Sequence, residues 1–329
     1  MKLVFTLMAL VAALFVTSLA WGYANVGLGA SLFGVIGIGD PSHIVIAQEL
    51  RLPRALLTTI IGAALGLSGA ALQGLLRNPL AEPGNIGVTS GAALGAVIVL
   101  YFGIAGWSSW ALPAGAMTGA GVVVVLIFLL ASVEGSTTAL ILAGVAISSV
   151  AMALTALAMN LSPNPWALGE IVFWLMGSVR DRSMADVVLS FPFVAFGLGL
   201  ILSTARSLDA LVLGEETAGA LGVNLTSVRI RIILGTAMAV GAGVAVAGAI
   251  GFVGLIVPHV LRPFTGYVPS RLLAPSALGG AALLLMADIG VRALGGLTGS
   301  ELYLGVFTAL IGGPFFVYLI FRIRRGIAR

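Results

Sequence analysis

Apolar residues run along this chain in long unbroken blocks, and short stretches carrying Gly, Pro and the charged residues separate them. The blocks fall near 3–21, 54–76, 87–104, 111–132, 138–160, 185–205, 227–248, 272–293 and 303–322. Each is close to the ~20 residues that a helix needs to cross ~30 Å of hydrocarbon. A tenth apolar segment, 251–261, is short and interrupted by Pro258; a short or broken helix there brings the crossings to about ten. Membrane β-barrels need segments of about ten residues with alternating polarity, and these blocks do not alternate. The pattern therefore predicts an all-α polytopic membrane protein, with 1–329 as one transmembrane domain. The first block has a second reading. Lys2, the apolar run and Ser18-Leu19-Ala20 also fit a secretory signal with a small-residue cleavage site. A first transmembrane helix is preferred, because the rest of the chain is equally apolar and needs no separate signal.

Composition strengthens the membrane reading. Of 329 residues, 60% are hydrophobic and 9% charged, against ~25% charged in soluble domains. So few charges cannot cover a soluble globule of this size, and lipid is the simplest remaining solvent. The 45 glycines suit helices whose backbones approach closely within a bilayer. The net charge of +4 does not point to nucleic acid, since the basic residues are scattered singly over loops. With ten crossings and both termini in the cytoplasm, Lys2, Arg77, Arg206, Arg229, Arg231, Arg262, Arg271, Arg322, Arg324, Arg325 and Arg329 lie inside. Arg51, Arg54, Arg180, Arg182 and Arg292 lie outside, giving eleven against five in the sense of the positive-inside bias.

Two counts exclude chemistry. There is no cysteine, hence no disulfide, thiol nucleophile or Cys-based metal site. Lys2 is the sole lysine, and a phosphate-cradling P-loop ends in Lys-Ser/Thr. Any ATP-driven work must come from another chain. His43 and His259 are far apart in sequence, so no metal site and no cofactor are expected. The central helices are almost bare of the carboxylates or histidines that a proton-coupled secondary transporter relays through. No paired carboxylates, HExxH or Ser/His/Asp set points to an intramembrane enzyme.

Two local features suggest organisation. Ser68-Gly-Ala-Ala-Leu-Gln-Gly-Leu-Leu-Arg-Asn-Pro79 echoes Ala247-Gly-Ala-Ile-Gly-Phe-Val-Gly-Leu-Ile-Val-Pro258 with one insertion. In the topology above the first of these helices runs inward and the second outward, the pattern of an inverted repeat. The polar interval 207–227 contains Gly214, Glu215, Glu216, Ala218, Gly219, Ala220, Leu221 and Gly222. It predicts a short cytoplasmic helix between the sixth and seventh crossings, whose small residues suit docking into a partner's groove.

Several spaced blocks carry a resemblance. They are Arg51-Leu-Pro-Arg54, Gly69-Ala-Ala-Leu-Gln-Gly-Leu-Leu-Arg-Asn-Pro-Leu-Ala-Glu-Pro-Gly84, Leu142-Ala-Gly-Val-Ala146, Phe173-Trp-Leu-Met-Gly-Ser178, Gly251-Phe-Val-Gly-Leu-Ile-Val-Pro-His259, Ala287-Asp288 with Arg292, Glu301-Leu302 and Gly312-Gly-Pro-Phe-Phe316. In order along nearly the whole chain, these resemble the FecCD-type permeases, membrane subunits of ABC importers for ferric siderophores, haem and vitamin B12. The resemblance implies a ten-helix fold, a second permease copy with the path at the dimer axis, two ATPase subunits inside, and a substrate-binding protein outside. It implies an iron chelate as cargo, with haem or cobalamin as alternatives, and residence in the bacterial cytoplasmic membrane. It assigns 215–224 to ATPase coupling and pairs Arg51, Arg54 and Arg292 with glutamates of the binding protein. Interfacial anchoring is the alternative for those arginines, and for Arg292 a local pair with Asp288, one turn away. It assigns a cytoplasmic gate to Asn78, Pro79 and Leu80 with Ser136, Thr137 and Thr138; a helix-ending turn is the plain alternative. By the same analogy the fifth and last helices line the path, the fifth through Ser148, Ser149, Met152 and Thr155. The chain departs from the family where Tyr303 stands in place of a proline after Glu301-Leu302, and at Arg180-Asp181-Arg182.

Overall fold

The computed structural model describes residues 2–327 except 23, 25, 109 and 132–136. Among the described residues every regular element is helical. The α-helices are α1 (Lys2–Ala20), α2 (Leu28–Val35), α3 (Pro41–Val45), α4 (Leu52–Leu75), α5 (Val88–Tyr101), α6 (Ala111–Ala131), α7 (Thr137–Asn160), α8 (Pro165–Leu175), α9 (Met184–Leu202), α10 (Ala205–Leu211), α11 (Glu215–Ala220), α12 (Leu225–Ala247), α13 (Val253–Leu261), α14 (Pro269–Thr298) and α15 (Leu304–Ile327). Each of the ten apolar runs has its helix: α1, α4–α7, α9 and α12–α15. Among the described residues seven helices are long and apolar enough to cross a bilayer by themselves. Helix α5 and the nine-residue α13 fall short of that length. At 1.5 Å per residue, α13 reaches about 14 Å, half the hydrocarbon thickness.

The helices are arranged by how much small-residue surface they carry. In α4 and in α12, 78% of the apolar stretch is buried within the protein, against 17% in α1 and 22% in α7. The first two are therefore the axis of the bundle and the others its skin. Glycines explain why. Gly62 and Gly66 of α4 face Gly280 and Ser276 of α14, and a Cβ on either glycine would run into the opposing carbonyl oxygen. Gly91 and Gly95 of α5 meet Gly119 and Gly115 of α6 in the same way. All four pairs of partners are spaced i, i+4, the small-xxx-small pattern that lets helices touch backbone to backbone. The contacts run in opposite directions along the two chains, so α4/α14 and α5/α6 are antiparallel. The contact of Gly69 with Gly254 and the bond from Arg262 to Gln73 set α13 parallel to α4. These directions match the alternation of crossings predicted from the sequence, with one correction: the second half of the second echo segment lies in α13, which runs parallel to α4 and not opposite to it.

The echo between 68–79 and 247–258 has a backbone counterpart. After α4 the chain turns through Arg77 (φ +47°), and α5 starts from Gly87 (φ +87°); after α12 it turns through Gly248 (φ +72°), and α13 starts from Phe252 (φ +68°). Both halves thus use two left-handed residues to leave a central helix and re-enter the bundle. The buried core draws on residues from Leu7 to Leu304 without a break between the halves.

Candidate functional site

Three groups of residues bear on function, at the two ends of the bundle and on its flank. At the end where α1 stops and α4 starts, a charged cluster is buried. Arg54 donates from Nε to Asp288 Oδ1 at 2.9 Å and pairs through Nη2 with Glu301. Asp288, fully buried, also faces Arg292 Nη2 through Oδ2 at 2.8 Å, the pair one turn apart read from sequence. Arg292 further donates to Ser18 O at 2.9 Å, to Ser18 Oγ at 2.7 Å and to Trp21 O. Arg51 donates to Leu19 O at 2.8 Å, Ala20 O at 3.0 Å, Ala24 O at 2.8 Å and Ser31 Oγ at 2.7 Å. The last carbonyls of α1 have no partners within their own helix, and α1 has no basic residue in its last turn. Arg51 and Arg292 supply that C-terminal charge and those donors from neighbouring elements.

Arg51 and Arg292 are 6% and 4% exposed, and each spends guanidinium donors on acceptors within the protein. Both also line a cavity at this end of the bundle. Arg54 keeps 13% side-chain exposure but is held by two carboxylates. Beside the cluster, two adjoining cavities of about 460 and 300 Å³ share Arg180, Asp181, Arg182 and Glu301. Tyr303 lines the larger one and stacks on Phe173 with centroids 5.9 Å apart and planes 11° apart. The two places where the sequence departs from the family pattern therefore meet at one cavity. Arg180 is paired with Asp181 at 3.2 Å, both largely exposed.

At the opposite end, the interval 207–227 holds two short helices where one was expected, α10 and α11. Gly214 (φ +106°) and Gly222 (φ +84°) make the corners on either side of α11, conformations open to glycine at no steric cost. Within α11 the candidate coupling residues divide. Ala218 is fully buried, and Glu215 holds Arg229 of α12 at 2.8 Å; these two anchor the segment. Glu216, Gly219, Ala220, Leu221 and Gly222 are exposed, with open space above Gly219 and Gly222.

The residues expected from the resemblance to form a gate lie near this end. Asn78 N–H bonds Gln73 O at 3.2 Å, closing the αL turn that ends α4, and Asn78 Oδ1 accepts from Leu80 N at 2.9 Å across Pro79. Ser136 lies outside the described residues; Thr137 and Thr138 open α7. Two residues that sequence reasoning passed over tie this turn to the second half. Gln73 donates to Gly254 O at 3.1 Å. Glu82 accepts the backbone N–H of Phe252, and burial pushes its carboxyl above the ordinary glutamate value. Phe252 in turn lies flush on Gly312 of α15, where no Cβ would fit.

On the flank, α7 packs along one stripe only. Ser148 lies in that stripe, bonded to Gly144 O at 2.8 Å and set against Gly87, whereas Ser149 and Met152 face outward and Thr155 is half-buried. The four path candidates thus occupy two faces. Leu142, Val145, Val150 and Met152 of α7 and Leu310, Val317 and Tyr318 of α15 are 50% exposed or more. His259 packs edge-on to Phe315 of α15 at 5.9 Å. Among the described residues no group of three or more His, Cys, Asp or Glu could hold a metal ion.

A family model described as the FecCD transport family matches residues 10–322. The chain belongs to that family. Among FecCD relatives, the hemin transport system permease protein of Yersinia pestis is 38% identical over 312 residues, covering 93% of this chain and 92% of the relative. The vitamin B12 import system permease protein of Vibrio cholerae is 44% identical over 276 residues, covering 83% and 82%. An uncharacterized ABC transporter permease protein of Bacillus subtilis is 38% identical over 298 residues, covering 89% and 83%. A solved structure described as an inward-facing conformation of a metal-chelate type ABC transporter has a TM-score of 0.87 and 34% identity, covering 98% of this chain and 99% of that one. This FecCD chain is a multi-span membrane permease of the ABC importer class.

Proposed function

We propose that two copies of this chain form the permeation pathway of an ATP-driven importer in a bacterial cytoplasmic membrane, and that the cargo is a metal chelate. The family membership supports the class. One relative is named for hemin, two or more for vitamin B12, and the solved neighbour for metal chelates; an iron chelate is the cargo we favour among these. The observation that carries the reading is α11, held from behind by Ala218 and Glu215 and presenting Glu216 and 219–222 outward. A segment anchored so firmly yet so bare is suited to push on, or be pushed by, a separate ATPase subunit. Both termini and α10–α11 then face the cytoplasm, in keeping with the arginine count.

At the other face, a substrate-binding protein delivers cargo to the mouth formed by the two cavities at Arg180–Arg182 and Tyr303. Docking over Arg54 remains part of this reading, through the edge of the charged cluster. Arg51 and Arg292 contribute by holding α1 and α2 in place beneath it. The second copy covers the exposed faces of α7 and α15, and the Asn78–Leu80 turn with 136–138 closes the cytoplasmic end. Alternating access would move these helices about α4 and α12.

Reconstitution with the cognate ATPase and binding protein tests the reading. Uptake of ferric chelate into proteoliposomes should require ATP, stop with vanadate, and fall at least tenfold in Leu221→Asp without loss of folded permease. Uptake that persists with vanadate and follows a proton gradient would overturn it.

A further inference from the structure

A cavity of about 270 Å³ lies at the α10–α11 end, between the last turn of α4, the entry to α14 and Val212. Arg77, Arg262 and Tyr267 line it, and no carboxylate does. Two guanidinium groups bring ten N–H donors, of which one, from Arg262 to Gln73 Oε1, has a hydrogen-bond partner among the described residues. Of the carboxylates at this end, Glu215 holds Arg229, and Asp209 accepts from Ser270 N at 2.8 Å outside the lining. The lining is therefore cationic and holds no counter-ion of its own.

Its backbone is also held at a conformational cost. Four non-glycine residues have positive φ among the described residues, and two of them, Arg77 (φ +47°) and Tyr267 (φ +62°), line this one cavity. Arg77 occupies the left-handed position after α4 that glycine fills most easily. Strain of this kind gathers where a site is built to bind or switch. Val212 and Tyr267 of the lining, with Leu213 next to Val212 in the chain and Phe264 near Arg262, are 59–70% exposed, an apolar and aromatic surface at the cavity's edge. Cations below such a rim match the headgroup level of a bilayer, where tyrosine and phenylalanine border the acyl region.

We propose that this cavity is a headgroup site for an anionic phospholipid, with the phosphate held between Arg77 and Arg262 and the acyl chains on Phe264, Leu213 and the ring of Tyr267. Arg77 Nη1 lies beside Gly214, the residue that starts α11. A bound lipid would thus bridge α4 and α14 to the segment that meets the ATPase, and would set how firmly that segment is held. The inference rests on the membrane reading of the chain and not on its cargo.

Native mass spectrometry of the full chain, released from nanodiscs of equal phosphatidylglycerol and phosphatidylcholine, tests it. Phosphatidylglycerol should be retained at least about tenfold over phosphatidylcholine, and Arg77→Gln with Arg262→Gln should abolish the preference. The exposed cation variant Arg206→Gln should leave it unchanged. Equal retention of the two lipids by the unmodified chain would overturn the proposal without recourse to any variant. So would equal loss in Arg206→Gln, which would mean diffuse surface charge. Displacement of the lipid by millimolar inorganic phosphate would assign the site to a free anion instead, and its displacement on assembly with the ATPase would assign it to an acidic side chain of that partner. Failure of ATP-driven uptake would leave the lipid result standing, so the two readings fail separately.

Discussion

Asp288 holds two arginines at once, and this sets the hierarchy among the charged residues. It is fully buried between Arg54 and Arg292. Removing one partner of such a set leaves a buried charge uncompensated, which costs about 3–5 kcal/mol. Asp288→Ala is thus expected to lower the melting temperature in detergent sharply, and Arg54→Ala to do so less, because Asp288 keeps Arg292 as a partner. Thermal unfolding by intrinsic fluorescence checks the order. Glu82 gives a pH signature from outside the spanning helices. Burial favours its protonated form in the folded state, so the folded protein binds the extra proton. Its contribution to stability is full below the ordinary glutamate pKa and falls as pH rises through the raised folded value. Glu82→Gln should remove that part of the pH dependence of melting, and an unchanged slope would show that Glu82 is not its source.

Among elements, glycine position decides which helices touch. Gly66 of α4 leaves no room for a methyl group against Ser276, whereas Gly121 of α6 has open space around it. Gly66→Ala should therefore part α4 from α14 and reduce the yield of folded monodisperse protein severalfold. Gly121→Ala should be neutral or slightly stabilising, since alanine restricts the unfolded chain more. Size-exclusion profiles of the two variants make the comparison. The spacing of these glycines could be read from the sequence, and so could the ten apolar runs, because lipid requires long uninterrupted helices. The short elements were less legible. Helix α8 starts from Asn164, which caps Ala167 N–H with Pro165 in the first turn; Asn-Pro was visible in the sequence, but eleven residues are too few to register as a span. The pair of Arg292 with Asp288 could be read from its spacing, but the other contacts of Arg51 and Arg292 could not. Their partners are backbone carbonyls of α1, separated by 32 and 274 residues in the chain, and a carbonyl carries no sequence signal. Ala218 and Glu215 fall in the same class, since the face a short helix buries depends on what lies beneath it.

For the molecule as a whole, sidedness is the property on which the proposed partners depend. The natural sequence has no cysteine, so single cysteines can be placed without background. Glu216→Cys and Asp181→Cys, both exposed, should react with a membrane-impermeant maleimide from opposite sides of the bilayer, the first only in inverted vesicles. Labelling of both from one side would overturn the proposed orientation and with it the site assigned to the ATPase. Asp181 shares a cavity with Arg54 at the start of α4, and Gly214 at the start of α11 lies beside Arg77 past the end of α4, so the two positions lie at opposite ends of the bundle. What the labelling adds is which end meets the cytoplasm.

The charged cluster has a consequence for how the protein is made. Arg54 is synthesised early, yet its carboxylate partners come 234 and 247 residues later. Asp288 and Arg292 can neutralise each other within a single turn as α14 leaves the translocon, which eases the passage of a doubly charged segment into lipid. Arg54 has no such local companion. Arg54 gains those carboxylates only as the last two helices are made, so the first half of the bundle cannot complete this cluster until synthesis is nearly over.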